Sequence, residues 1–423
     1  MPAPTLLTSW VDGADGSGFP AEHLPFGTFS VGGDRPRVGV RIGDQVLDMP
    51  RLADNGLLPA KLDGTDAAEV FAALTLNPFL ALGPDAWHAV RARLADLVCD
   101  PASRARVEPA LVPVAAARSH LPIAVADYVD FYSSLEHATN LGRLFRPEGE
   151  PLLPNWRHLP VAYHGRAGTV VVSGTPVVRP AGQRRLPDGS IVFGPTTRLD
   201  IELELGFVVG APSQHGRPVP IGEAADHVFG VVLVNDWSAR DIQGWEAQPL
   251  GPFLGKSFAT TMSAWVTPLE ALAGCNVDGP VQDPEPLAYL RLDEPWGLAL
   301  DLEVGLRPAG ADPGDPPATI SRTSAAGLYW RLPQQVAHLT VNGAHLRTGD
   351  LLASGTISGP ETGSQGSLME LTQGGAQAIE VAGQQRTFLE DGDEVVLRGQ
   401  ARPADGVTIE LGEAAGRIVP ATP

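Results

Sequence analysis

The stretch Asp200-Ile201-Glu202-Leu203-Glu204-Leu205-Gly206 alternates acidic and apolar residues without a break. Side chains two apart share one face of a β-strand, so Ile201, Leu203 and Leu205 enter a core while Asp200, Glu202 and Glu204 project together from the other face. Three carboxylates on one face repel one another unless water or a cation separates them. Two readings stay open on these residues alone. One is a solvated outer strand face; the other is an all-oxygen site for a hard cation such as Ca2+ or Mg2+ rather than zinc. Either way a strand is predicted over 200–209.

Working outward, apolar runs over 169–172, 175–178, 228–234, 298–306 and 394–397 also read as strands. Helices are predicted over 238–246 and 324–341, the second interrupted by Pro333, and 309–317 reads as a Pro-, Gly- and Asp-rich loop. Toward the N-terminus, Val38–Ile42 and Gln45–Met49 flank Gly43-Asp44 as a hairpin. Trp87, Val90, Leu94 and Leu97 recur at helical spacing behind Asp85 as a candidate N-cap. The run 108–117 reads as a linker. The expected architecture is mainly β (α+β), with a small N-terminal domain over 1–118 and a larger domain over 119–423.

Composition narrows the function. The chain has 423 residues, enough for a substantial core, and its 48 Gly and 40 Pro recur between apolar runs, as turns between strands do. A net charge of −19 disfavours nucleic acid and anionic membranes. No stretch approaches the ~20 apolar residues of a membrane span, and Met1–Thr5 does not open a signal peptide. Cys99 and Cys275 have no metal-type or redox-type partner nearby, which fits a reducing, cytoplasmic location. Dinucleotide, phosphate-loop, H-E-x-x-H and C-x-x-C motifs are missing. Gly255-Lys256-Ser257-Phe258-Ala259 lacks the last glycine of a nucleophile elbow. Of the 30 basic residues only Lys61 and Lys256 are lysine, and arginine cannot replace a compact ammonium at a tight site.

Two more segments carry chemistry. The apolar strand before Asp236 ends there, with Ser238 as a cap for the next helix; strand ends often hold site residues, and an Asx turn plus N-cap is the plainer alternative. Asp130-Phe131-Tyr132-Ser133-Ser134-Leu135-Glu136-His137-Ala138-Thr139-Asn140 offers a carboxylate, a phenol and an imidazole close together. Taken singly, His137, His158 and His164 read as ordinary packed or exposed histidines.

Together with Leu153-Pro154-Asn155-Trp156, Tyr163-His164-Gly165-Arg166, Asp236-Trp237-Ser238-Ala239-Arg240-Asp241-Ile242-Gln243, Pro249 to Ser257 and Leu351 to Glu361, these segments resemble the fumarylacetoacetate hydrolase (fumarylacetoacetase) family in order and over nearly the whole chain. The resemblance implies an SH3-like N-terminal barrel, a C-terminal β-roll domain and a homodimer. It also implies hydrolysis of the carbon–carbon bond of 4-fumarylacetoacetate to fumarate and acetoacetate, the last step of tyrosine degradation. Carried over residue by residue, it assigns Asp130, Glu202, Glu204 and Asp236 as ligands of Ca2+ or Mg2+, with Lys256 and Thr260 at metal-site positions. Tyr132, Arg146, Tyr163, Gln243 and Thr356 fall at positions that bind the diketo-acid substrate. His137 and Glu370 match the catalytic pair, with Arg240, Gln243 and Lys256 as donors to the developing oxyanion. One departure is Trp245-Glu246-Ala247, where the family usually has a tyrosine after Trp-Glu. The alternatives are a related acylpyruvate or 2,4-diketo acid hydrolase and an inactive calcium-binding protein.

Overall fold

The computed structural model describes residues 7–312, 314–403 and 406–422. The reading of Met1–Thr5 falls outside them. Leu203–Val209 runs through the middle of a mixed sheet, antiparallel to Val228–Asp236 on one side and to Leu351–Ala353 on the other. Leu351–Ala353 in turn runs parallel to Tyr128–Phe131, and Val228–Asp236 pairs with Thr260–Met262 and Trp265–Pro268. A second, five-stranded sheet orders Val177–Val178, Ile409–Val419, Glu394–Ala401, Leu300–Arg307 and Ala318–Ser324.

Each face of the central sheet is read by a different core. Leu203, Leu205, Phe207, Val231 and Leu233 share one with Leu302, Val304, Leu397 and Leu411 of the second sheet. Val208, Phe229, Val232 and Val234 join another with Phe26, Phe79 and Trp87 of the N-terminal domain. There the ring centroids of Phe26 and Phe79 lie 5.2 Å apart and those of Trp87 and Phe229 5.3 Å. Burial on this scale stabilises by about 1.5–3 kcal/mol per large apolar side chain.

The N-terminal hairpin forms as expected, Arg37–Ile42 against Gln45–Asp48, with Phe26–Val31 beside it. The linker reading of 108–117 is overturned. Leu111–Pro113 pairs with Gln45–Asp48 and Ala117–His120 with Phe26–Val31, so the two edges of the meander are joined through one 3-10 turn, Val114–Ala116. Pro113 is tolerated because it lies on an edge strand. Phe26 also pairs with Val266, which makes the sheet continuous between the domains.

Three helix readings need correction. Pro84–Cys99 starts at its proline after Gly83, and Asp85 sits inside the first turn instead of capping it. Of 324–341 only Leu332–Thr340 is α-helical, with a 3-10 turn at Ala325–Gly327 before it, and Pro333 opens the α-helix, since proline is accommodated in a first turn where no N–H is needed. Arg240–Glu246 has Ala239 at its N-cap; Ser238 pairs with Asp200 in a short strand and donates its hydroxyl to the Asp236 carbonyl. Among the described residues no helix is long and apolar enough to cross a membrane.

Acid is expected to weaken the contact between the domains through His23. This buried imidazole faces the Gly18 carbonyl at 3.1 Å with Nδ1 and Thr267 Oγ1 at 2.9 Å with Nε2. Nδ1 therefore donates and Nε2 accepts from the threonine. Burial, opposed by the Gly18 bond, pushes its pKa down to about 3. Between the unfolded value near 6.5 and that value the unfolded chain binds a proton that the native chain does not. Stability is thus intact above pH 6.5 and falls by about 1.4 kcal/mol per unit below it. Denaturant titrations should show His23→Gln losing ~2 kcal/mol less than the parent between pH 7 and pH 5. Equal losses would remove His23 from the acid response.

Candidate metal and catalytic site

Tyr128, Val208 and Val234 belong to the core shared with the N-terminal domain, and Asp130, Glu204 and Asp236 continue the same sheet face beyond it. Glu202 completes the group, and one oxygen from each of the four carboxylates lies within 4.8 Å of the others. All four are buried, which overturns the solvated-face reading. Asp200 does not join them. The strand is interrupted at Ile201 and Glu202, between Leu199–Asp200 and Leu203–Val209, and Asp200 turns to Arg240 instead.

Asp130 Oδ1 and both Glu204 oxygens are buried without a hydrogen-bond partner among the described residues. Leaving such a group unsatisfied costs about 1–3 kcal/mol, more when it is charged. Burial and the Asp236 charge hold the Asp130 carboxyl well above the usual range; burial together with Asp130 and Glu202 does the same to Glu204. Asp236 is raised by burial, against the pull of Lys256. Glu202 goes the other way: burial is outweighed by Lys256 and Arg240, and its pKa falls to about 2. The protein supplies too little positive charge for all four to ionise, and unpartnered hard oxygens converge on one point. These residues fit a divalent, oxygen-liganded metal ion.

The cations border the cluster on one side. Lys256 Nζ donates to Glu202 and, at 2.9 Å, to Asp236; Thr260 Oγ1 donates to Asp236 at 3.1 Å and the Tyr163 hydroxyl at 3.4 Å. Arg240 reaches Glu202 through Nη1 at 2.8 Å, and the same nitrogen donates to Gln243 Oε1 at 3.3 Å, while Nη2 is buried without a partner among the described residues. Burial works against the charge on Lys256 and Arg240, yet the neighbouring carboxylates raise both pKa values above their ordinary range. Gly255 lets the lysine turn approach the Arg240–Glu246 helix, because a Cβ there would lie 2.7 Å from the Gln243 backbone nitrogen.

His137 sits in the first turn of Leu135–Phe145, whose N-cap Ser134 accepts its backbone N–H. Its Nδ1 lies 2.7 Å from Glu370 Oε2. Glu370 also accepts from Asn140 at 2.9 Å, Ser358 at 3.0 Å and Ser367 at 2.7 Å. Burial would raise the Glu370 pKa, but His137 and these donors outweigh it and the carboxylate stays ionised. Nδ1 therefore carries the proton and Nε2 is the basic nitrogen. The Tyr132 ring stands edge-on to His137, centroids 5.3 Å apart. Thr356 is buried, and its hydroxyl has no partner among the described residues. It follows Gly355, whose φ of +76° and missing Cβ let the loop lie against the Phe131 carbonyl. Arg146 caps the far end of the His137 helix on the carbonyls of Glu150 and Pro151, and its charge reaches Tyr132.

Glu202, Asp236, Lys256, Thr260, Tyr163, Arg240 and Gln243 thus form one bonded network beside Asp130 and Glu204. The His137–Glu370 pair is bonded separately, with Tyr132 against His137 and Arg146 further out. His164 stays outside, paired at the surface with Asp127. Sequence reasoning gave no role to Asn140, Ser358 and Ser367, which hold Glu370. Asn140 had a legible signal, lying one helical turn beyond His137 on the same face. Nothing local marked the serines.

Fold and site define a class: mainly β chains, a small N-terminal domain joined to a larger one, that bury an oxygen-donor cluster beside a histidine–glutamate pair. The family described as Fumarylacetoacetate (FAA) hydrolase C-terminal matches residues 127–419, and Fumarylacetoacetase N-terminal matches 22–122. The chain is 48% identical over 424 residues to the fumarylacetoacetase of Rattus norvegicus, covering 98% of this chain and 99% of that one. Against the fumarylacetoacetase of Oryza sativa subsp. japonica it is 44% identical over 427 residues, covering 99% and 98%. A solved fumarylacetoacetate hydrolase from Exiguobacterium antarcticum shares the fold, with a TM-score of 0.54 at 15% identity over 94% of this chain and 100% of that one. The chain belongs to the fumarylacetoacetase family.

Proposed function

We propose that this protein hydrolyses the carbon–carbon bond of 4-fumarylacetoacetate, giving fumarate and acetoacetate, the last step of tyrosine and phenylalanine (homogentisate) degradation. The observation that carries this reading is a buried histidine held by the Glu370 carboxylate beside carboxylate oxygens that are buried and unpartnered among the described residues. Relatives named fumarylacetoacetase, similar over almost their whole length, support the substrate.

His137 Nε2 takes a proton from water, and Glu370 stabilises the imidazolium. The water oxygen adds to the carbonyl carbon next to the fumaryl double bond. Arg240 Nη2, the Gln243 amide and Lys256 Nζ donate to the resulting oxyanion, each well-placed donor contributing ~3 kcal/mol. The carbon–carbon bond then breaks, fumarate leaves with the new oxygen, and the departing methylene takes back the proton held by His137 to become the methyl of acetoacetate. Ca2+ or Mg2+ held by Asp130, Glu202, Glu204 and Asp236 would act as a Lewis acid toward the diketone oxygens. Lys256 and Thr260 serve that centre as partners of its ligands, since a protonated ammonium has no lone pair to give. Tyr132, Tyr163, Gln243 and Thr356 bind the substrate, and Arg146, Arg240 and Lys256 offset its two negative charges.

A homodimer is supported by the exposure of Phe193, Leu250 and Phe253. A division close to 118/119 is supported by the two family matches, which part between 122 and 127, and the SH3-like character of the first unit by its five-stranded meander closed through a 3-10 turn. A cytoplasmic location rests on the cysteine usage alone. Steady-state turnover decides the substrate: fumarylacetoacetate should be cleaved with a far higher kcat/KM than acylpyruvates. A preference for an acylpyruvate would overturn the assignment.

A further inference from the structure

Asp200 opens the acidic strand, yet neither the metal cluster nor the mechanism uses it. Its carboxylate is fully buried and accepts four N–H donors: Ile201 N at 2.8 Å and Leu368 N at 2.7 Å on Oδ1, and Arg240 Nε at 2.8 Å and Met369 N at 3.1 Å on Oδ2. We propose that Asp200 is a positioning residue that holds Arg240 and Glu370 in register with a single carboxylate. This rests on the catalytic reading above.

On one side Asp200 takes Nε of Arg240 and Glu202 takes Nη1, so the guanidinium plane is fixed at two corners and only the buried Nη2 is left to meet an oxyanion. A guanidinium held this way loses little freedom when it donates. On the other side, Leu368 and Met369 are the first two residues of the turn Leu368–Leu371, whose third residue is Glu370. Their N–H groups have no partner within the turn, and Asp200 satisfies both. The carboxylate that aims the oxyanion donor thereby also anchors the residue that aims His137. The strand pairing of Asp200 with Ser238 uses only backbone and would accept any residue. Four converging donors require a carboxylate with two acceptor oxygens.

Asp200→Asn separates these roles with almost no change in shape. The amide has one oxygen, so its NH2 must face either Ile201 and Leu368 or Arg240 and Met369, and one hold is lost whichever way it turns. In the metal-loaded protein kcat for fumarylacetoacetate should fall by ~10²-fold or more while KM stays within about threefold, because the donors act in the transition state. Placed in an Arg240→Gln background, the same change should cost at least ~10-fold less than in the parent, since the shared route through Arg240 is already gone. A readout independent of substrate is the proton on His137 Nδ1, identified by its loss in His137→Gln, whose NMR resonance should move in Asp200→Asn. Folding is judged by retention of the metal-dependent rise in Tm. Where Asp200→Asn does not fold, Leu368→Pro removes one donor at a first helical position that accepts proline, and the same resonance and kcat are read.

An unchanged kcat, or equal losses in both backgrounds with an unmoved resonance, overturns the proposal. Failure of both variants to fold also overturns it by assigning Asp200 to the scaffold alone. If the parent does not cleave fumarylacetoacetate, the functional reading has failed separately and the resonance decides for Asp200.

Discussion

Asp236→Asn is expected to abolish turnover and to uncouple thermal stability from added Ca2+ or Mg2+. Asp236 ends the strand Val228–Asp236 and is the carboxylate around which the centre is bonded: Lys256, Thr260 and Tyr163 all donate to it. An amide keeps the shape but brings no negative charge, and its NH2 faces donors. The parent should gain stability from a metal that binds only the native state, by about 2.7 kcal/mol at a hundred times Kd. Thermal melts of the parent should therefore rise with metal and fall on chelation, while those of Asp236→Asn stay flat. Full activity of the parent after exhaustive chelation would sink the metal assignment, and a melt of the variant that still climbs with metal would move the site elsewhere.

His137→Ala should lower kcat by ~10²–10⁴-fold, the range for removal of a general base, with binding of a product analogue largely kept. Glu370→Gln should also be severe. The carboxylate accepts from His137, Asn140, Ser358 and Ser367, and an amide in its place offers one acceptor fewer and turns two N–H groups on donors. The imidazolium that forms during the reaction would then have no counter-charge. Because Glu370 acts through His137, the double variant should lose far less than the product of the single losses. Measured kcat values that multiply would separate the two residues and break the pair assignment.

Much of the site was legible because its residues fall in long, ordered stretches whose local pattern carries meaning. Alternation at 200–206 told which side chains enter a core, and the end of an apolar run located Asp236. Errors arose where a local rule met two outcomes. A proline inside a helical pattern usually breaks it, so by pattern alone Pro333 reads as an interruption; the strand Ala318–Ser324 comes before it, and the helix starts there instead. The run 108–117 reads as a linker because short strands at the edges of a meander have too few residues to show a period.

The sequence by itself determined the mainly β character, the pairing of Val38–Ile42 with a strand that starts at Gln45 and ends at Asp48, one residue short of the expected Met49, and the candidate site residues, since these depend on side-chain period, turn residues and motif order. Only the tertiary structure decided which carboxylates meet. Asp200, Glu202 and Glu204 are equivalent by alternation, but the irregular backbone at Ile201 and Glu202 sends Asp200 to Arg240 and the start of the Glu370 turn. Asp130 enters the vacated role from a strand seventy-odd residues earlier because Tyr128–Phe131 runs parallel to Leu351–Ala353, which pairs with Leu203–Val209. Whether an acidic strand face meets water or a cation is a matter of what covers it. Here the carboxylates are buried, with Lys256 and Arg240 against Glu202, and no residue inside 200–206 encodes that burial.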